Sequence, residues 1–120
     1  MGFPMSQFVE SLQEVFAAFG AVSARRMFGG HGLFHEGLMF GLVADDVLYL
    51  KADEASLAEF ERAGSSPFVY ESAGKKVAMS YYLAPETVFD DPEEARRWAA
   101  LAYEAARRTK RPKAGSKKGA

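Results

Sequence analysis

The sequence predicts an α+β fold: a two-layer domain in which an antiparallel sheet of about five strands has helices packed on one face, in the order α-β-β-β-α-β-β-α. Helical periodicity stands near both ends of the chain, and short apolar runs broken by paired turn residues fill the middle. The pairs Gly29-Gly30, Glu36-Gly37 and Asp45-Asp46 each admit the backbone angles of a tight reversal, so an antiparallel meander follows. Antiparallel strands tolerate water on one face while helices cover the other, which gives the two layers.

Phe8, Val9, Leu12, Val15, Phe16 and Phe19 recur at helical spacing with Glu10, Gln13 and Glu14 between them. They predict an amphipathic helix over about 7–19, capped by Ser6 and stopped by Gly20. Short β-type segments follow at about Ala21 to Phe28, Leu33 to His35, Leu38 to Val43 and Val47 to Lys51. Asp53 caps a second helix with Leu57, Phe60 and Ala63 on one side and Gly64 at its end. A second strand pair, about Phe68 to Glu71 and Lys76 to Tyr82, brackets the turn Ser72-Ala73-Gly74, with Pro67 suited to a strand start or an edge. After Pro85 comes one short helical turn. Asp91-Pro92-Glu93-Glu94 is then the strongest helix start in the chain, because Asp91 accepts from a first-turn amide, Pro92 needs no donor there and both glutamates favour the positive end of the dipole. This last helix runs from Pro92 to about Arg108 and turns Ala95, Trp98, Ala99, Ala102 and Ala106 toward the sheet.

With 120 residues, of which 48% are apolar and 26% charged, the chain suits one compact domain without metal or disulfide support. No apolar run approaches the roughly 20 residues of a membrane-spanning helix, and the N-terminus lacks the order of a signal peptide, so a cytoplasmic protein is expected. Cysteine is absent, which excludes a disulfide framework, a thiolate nucleophile and thiolate-bound metal. Charge divides sharply along the chain. Residues 1–106 hold all 16 acidic side chains and 8 of the 15 basic ones, a net of −8, whereas RRTKRPKAGSKKGA at 107–120 holds 7 basic residues and no acid. Low apolar content with Pro112, Gly115 and Gly119 predicts a folded domain over 1–110 and a disordered basic tail over 111–120.

The stretch from Arg25 to Lys51 carries the most information. Its basic pair Arg25-Arg26, then Met27-Phe28-Gly29-Gly30, then Gly32-Leu33 and a hairpin ending in Leu48-Tyr49-Leu50-Lys51 resembles the N-terminal domain of the TfoX/Sxy family, bacterial proteins named after regulators of natural competence. The resemblance extends over roughly residues 20–110, through Met79-Ser80-Tyr81-Tyr82 and the Asp-Pro start of the last helix. It implies the same α+β fold and a role near transcription. Family members that control competence genes also carry a separate C-terminal domain, for which these 120 residues hold no counterpart, so a stand-alone N-terminal domain is expected.

Chemical readings of individual residues each meet a plainer competitor. His31, His35 and Glu36 are a reasonable zinc or nickel set by donor type, but two surface histidines flanking a turn account for them better, and His31 stands where the family often has an aromatic residue. Gly29, Gly30 and Gly32 lack the following helix that a phosphate-cradling loop requires; tight turns or close strand approach explain them. Ser80 has no nucleophile-elbow glycines, and Asp45-Asp46 and Asp90-Asp91 read as turn and cap residues. No catalytic residue, cofactor site or metal site is assigned, and no enzyme is expected.

Nucleic acid is the remaining ligand class. Arg25, Arg26 and Lys51 form a basic spot near the first strands, where Tyr49, Tyr81 and Tyr82 offer flat faces suited to single strands, although strand tyrosines more often pack across strands. The tail is the better candidate: Arg107, Arg108, Lys110, Arg111, Lys113, Lys117 and Lys118 contact DNA or RNA phosphates without sequence preference and with steep salt dependence. The sequence therefore supports a non-enzymatic regulatory or adaptor domain with a protein partner, weak nucleic-acid contact by the tail and no membrane. The alternative is an interaction module or homodimer, unrelated to transcription, formed through an exposed sheet edge or the Trp98 helix.

Overall fold

The computed structural model describes residues 7–27 and 29–110. Four helices, α1 (Gln7–Val15), α2 (Leu57–Arg62), α3 (Thr87–Asp90) and α4 (Pro92–Lys110), accompany six strands: β1 (Ser23–Met27), β2 (Gly30–His35), β3 (Leu38–Ala44), β4 (Val47–Lys51), β5 (Pro67–Ser72) and β6 (Lys75–Leu83). The fold is α+β as the sequence predicts. Six strands stand where about five were expected, and the predicted order holds with one more strand before α2, in line with the four β-type segments between residues 21 and 51. The first of them, β1, pairs with β2 from Ser23↔Phe34 to Met27↔Gly30 and is a full edge strand. All neighbours are antiparallel in the order β1-β2-β3-β4-β6-β5. The first four strands form a meander; α2 then carries the chain to the far edge, where β5 starts at Pro67, and β6 returns beside β4.

Three reversals use the predicted residues, whereas Gly30 of the predicted Gly29-Gly30 turn is the first residue of β2 and pairs with Met27. Glu36-Gly37, Asp45-Asp46 and Ala73-Gly74 all have positive φ, the geometry whose twist matches a two-residue hairpin. Strand β2 begins three residues before the predicted Leu33, because Gly30 and Gly32 lie within it rather than in a loop. At Gly30 a Cβ would run into the Val43 carbonyl oxygen, so the glycine permits close strand approach there.

Helix α1 stops at Val15, and Phe16–Phe19 continue as turns closed by Gly20 N donating to the Phe16 carbonyl (3.0 Å). Its proposed cap, Ser6, lies outside the described residues. Before α2, Ser56 N donates to Asp53 Oδ1 (3.1 Å) while Asp53 N donates to Ser56 Oγ (3.0 Å), a reciprocal pair that fixes the turn. At α4, Glu93 N donates to Asp91 Oδ1 (2.9 Å), as the Asp-Pro-Glu-Glu pattern predicts.

All the core packing of the helices is on one face of the sheet. Leu12 and Phe16 from the α1 segment, Phe60 of α2, Val88 of α3 and the α4 residues Ala95, Trp98, Ala99, Ala102 and Ala106 join Leu33, Phe40, Val43, Leu48 and Leu50 in one buried cluster. Every α4 residue predicted to face the sheet does so. Ala63 of the α2 segment is exposed instead, because Phe60 alone reaches the core there. Between Leu33↔Gly41 and Phe34↔Met39 the register shifts and Phe40 becomes the extra residue. This bulge lets Phe40 enter the core beside Phe16 and Phe19, with ring centroids 5.8 and 5.5 Å away.

Candidate functional site: the helix-free sheet face

Side chains alternate along a strand, and residues paired across strands share a face. The pairs Leu33↔Gly41↔Leu50 and Val43↔Leu48 point to the helices, so Gly32↔Leu42↔Tyr49, with Lys51↔Tyr81 two residues along, point away. This second face is not the wet, polar surface expected of a two-layer domain. Leu42 is buried on it without helix cover, and β3, LMFGLVA, is apolar on both sides. Across it runs a cavity of about 590 Å³, lined on one side by Met27 and Met39 and on the other by Phe68, Tyr70, Met79 and Tyr81. Gly32 lies on the same face between Met27, Met39 and Phe34: a Cβ there would stand 3.0 Å from Met39 Sδ and 3.1 Å from both Met27 Cε and Phe34 Cε1.

The predicted basic spot is divided by this alternation. Arg25 pairs with Gly32 and lies on the open face, its guanidinium 4.6 Å from the centre of the Phe34 ring. Arg26 pairs with His31, whose partner Val43 is in the core, and so belongs to the other side of the edge. Lys51 shares the open face with Arg25. Its Nζ donates to Ser80 Oγ (2.6 Å) and stands 5.2 Å from the centre of the Tyr81 ring. Burial pushes the Lys51 ammonium below its usual pKa, and the nearby Asp53 carboxylate partly opposes this; burial pushes the Tyr81 phenol up. Tyr49 packs edge-on to Phe68 (4.9 Å), whereas Tyr82 faces the core against Phe60 (5.6 Å) and is lost to any open-face site.

Two of the basic residues near the end of α4 have acidic partners. Arg107 pairs with Glu104 (3.1 Å), and Arg108 donates twice to Asp53, from Nε at 2.6 Å and Nη2 at 3.0 Å. The hydrogen bonds from Arg108 hold the Asp53 carboxyl below the usual carboxylate range, against an opposing effect of burial. Helix α4 extends to Lys110, beyond the predicted Arg108. Arg111, Lys113, Lys117 and Lys118, like the predicted disorder of the tail, lie outside the described residues.

The histidines are not the surface pair the sequence suggested. His35 Nδ1 donates to the Ala21 carbonyl (2.7 Å), and its ring packs between Phe19 and Tyr103 at 4.5 and 4.9 Å. His31 Nε2 is buried with no hydrogen-bond partner among the described residues. Among those residues no three potential ligands cluster to hold a metal ion. Trp98, on the helix that the sequence offers as an alternative dimer surface, is 3% exposed and packs on Phe60 (4.9 Å), inward as its predicted turn toward the sheet requires. Among the described residues no helix is long and apolar enough to cross a membrane.

The sequence reading missed Met27, Met39, Phe34, Phe68, Tyr70 and Met79 as one surface. Their signal was present, since Phe68 and Tyr70, and Met79 and Tyr81, alternate along their strands. Only the strand order brings the two sets together.

Known proteins share sequence with this chain. Sxy of Escherichia coli is 30% identical over 77 residues, which cover 64% of this chain and 37% of Sxy. DNA transformation protein TfoX1 of Aliivibrio fischeri is 33% identical over 82 residues, 68% of this chain and 39% of its own length. DNA transformation protein TfoX of Haemophilus influenzae is 33% identical over 66 residues, 54% of this chain and 30% of its own. The match thus spans well under half the length of each relative. The family model of the TfoX N-terminal domain matches residues 14–106, from the end of α1 through most of α4, and the chain belongs to that family.

Proposed function

We propose that this chain is a non-enzymatic regulatory domain, related to competence regulators, that acts near transcription through a protein partner docking on β5. The observation that carries this reading is the contrast between the two edge strands. The β1 edge is guarded by Arg25 and Arg26, a charged pair that discourages strand addition. At the β5 edge, after Pro67, Val69 and Tyr70 are 47% and 42% exposed, and no further strand follows in the sheet among the described residues. Such an edge accepts an extended peptide through main-chain hydrogen bonds, with its side chains supplying specificity. Two relatives bear the name DNA transformation protein, which supports a search for the partner among components of that process. The tail at 111–120 contributes weak, sequence-independent phosphate contact. No step requires a membrane, and the cytoplasm is the compartment the reading implies.

The test uses the full chain and a version ending at Lys110, which keeps α4 and the Arg108–Asp53 pair intact. Titrated with fluorescent duplex and single-stranded DNA, the full chain binds at low salt, and binding disappears at near-physiological salt or on truncation. A protein partner is retained by the truncated chain at high salt and lost on Val69→Lys. Salt-resistant DNA binding by the truncated chain would replace this reading with an open-face nucleic-acid site built on Arg25 and Lys51. Concentration-dependent sedimentation as a dimer, abolished by Val69→Lys, would instead support self-pairing through the same edge.

A further inference from the structure

The cavity on the open face shares Tyr70 with the β5 docking edge but not Val69. Its volume of about 590 Å³ falls within the roughly 300–1,000 Å³ typical of small-molecule sites. Three thioethers, from Met27, Met39 and Met79, and three rings, from Phe68, Tyr70 and Tyr81, supply most of its wall. Methionine sulfur is polarisable and adapts to flat ligands, and ring faces carry partial negative charge. Asp45 is the sole charged residue in the lining, held by the β3–β4 turn at φ +53°. No ion pair or hydrogen bond engages its carboxylate among the described residues. The open-face cations do not line the cavity: Arg25 is stacked on Phe34, and Lys51 is held by Ser80 and the Tyr81 ring.

We infer that this cavity binds a planar aromatic cation, with its rings among the methionines and aromatic side chains and its positive charge toward Asp45. Carboxylate, ring faces and thioethers all favour positive charge, whereas an anion of the same shape meets the Asp45 carboxylate and the acidic body. Two walls come from β5 and β6 and two from β1 and β3, so a bound molecule ties the β5 docking edge to the opposite end of the sheet.

Two xanthene dyes of similar shape and opposite charge test the inference on the full chain by fluorescence anisotropy. Rhodamine 6G, the cation, binds saturably at one site, and fluorescein, the anion, binds at least tenfold more weakly. Asp45→Asn, a residue suited to the same left-handed backbone, weakens rhodamine 6G about fivefold and leaves fluorescein no weaker. Met79→Arg, at a position already 37% exposed, removes rhodamine 6G binding without lowering the unfolding midpoint. Asp90→Asn, an exposed carboxylate away from the cavity, changes nothing, and neither does Val69→Lys, which separates this test from that of the docking edge. Equal binding of the two dyes, rhodamine 6G binding that survives Met79→Arg, an equal loss on Asp90→Asn, or no saturable binding by the folded chain would each overturn it.

Discussion

Arg108 shows how the meaning of a residue changes once its surroundings are known. In sequence it is the second of a run of cations; in the fold it grips Asp53, 55 residues away, with two hydrogen bonds. Because the pair is partly open to solvent, Arg108→Ala should cost about 1 kcal/mol in a urea melt at neutral pH. Its pH dependence follows from the direction of the Asp53 shift. Arg108 depresses the folded-state pKa, so the stabilisation is complete above the unfolded value of about 3.9 and is lost as pH falls through the lower folded value. The gap between wild type and Arg108→Ala should therefore hold steady from pH 7 to about pH 5 and close in more acidic buffer; a gap that persists at the acid end would show that packing, not charge, joins the two side chains. Gly30 is the second residue-scale case. Gly30→Ala forces a Cβ against the Val43 carbonyl and should shift the β2–β3 register or prevent folding, which amide exchange in β1 and β2 would report.

Helix α4 owes its position to a small-residue surface. Ala95, Ala99, Ala102, Ala105 and Ala106 are buried, allowing the helix to lie close on β3 and β4, and Trp98 fills the space beside Phe60. Either change of volume should be costly. Ala102→Leu overpacks the contact by about 1–3 kcal/mol. Trp98→Ala opens a cavity worth about 3–5 kcal/mol, measurable as a lowered denaturation midpoint at constant slope. The strands differ from α4 in having two sides to satisfy. In β3 the bulge at Phe40 moves one aromatic side chain into the helix layer, while Met39 and Leu42 remain on the open face. A single strand thereby contributes to both the core and the candidate site.

For the molecule as a whole, the charge division after Ala106 falls within the last turns of α4. Deleting residues 111–120 leaves every described element in place, so the version ending at Lys110 should unfold at the midpoint of the full chain. A version ending at Ala106 should melt lower, because it removes Arg108 from Asp53 and the last turn of α4. That difference guards the DNA titration against mistaking a destabilised body for loss of a binding tail. The elements, turns and helix starts were legible in the sequence because each depends on neighbours within a few positions: Glu36-Gly37 for a hairpin, Asp91-Pro92 for a cap, alanines at helical spacing for a buried surface. The family, too, could be recognised from Arg25 to Lys51 alone. Tertiary structure decided what no local pattern encodes. It set Arg25 and Arg26 on opposite faces, turned Tyr82 inward, committed Arg108 to Asp53, and carried Phe68, Tyr70 and Met79 across from Met27 and Met39. Those outcomes depend on strand order and register, which arise from packing the whole chain around one core.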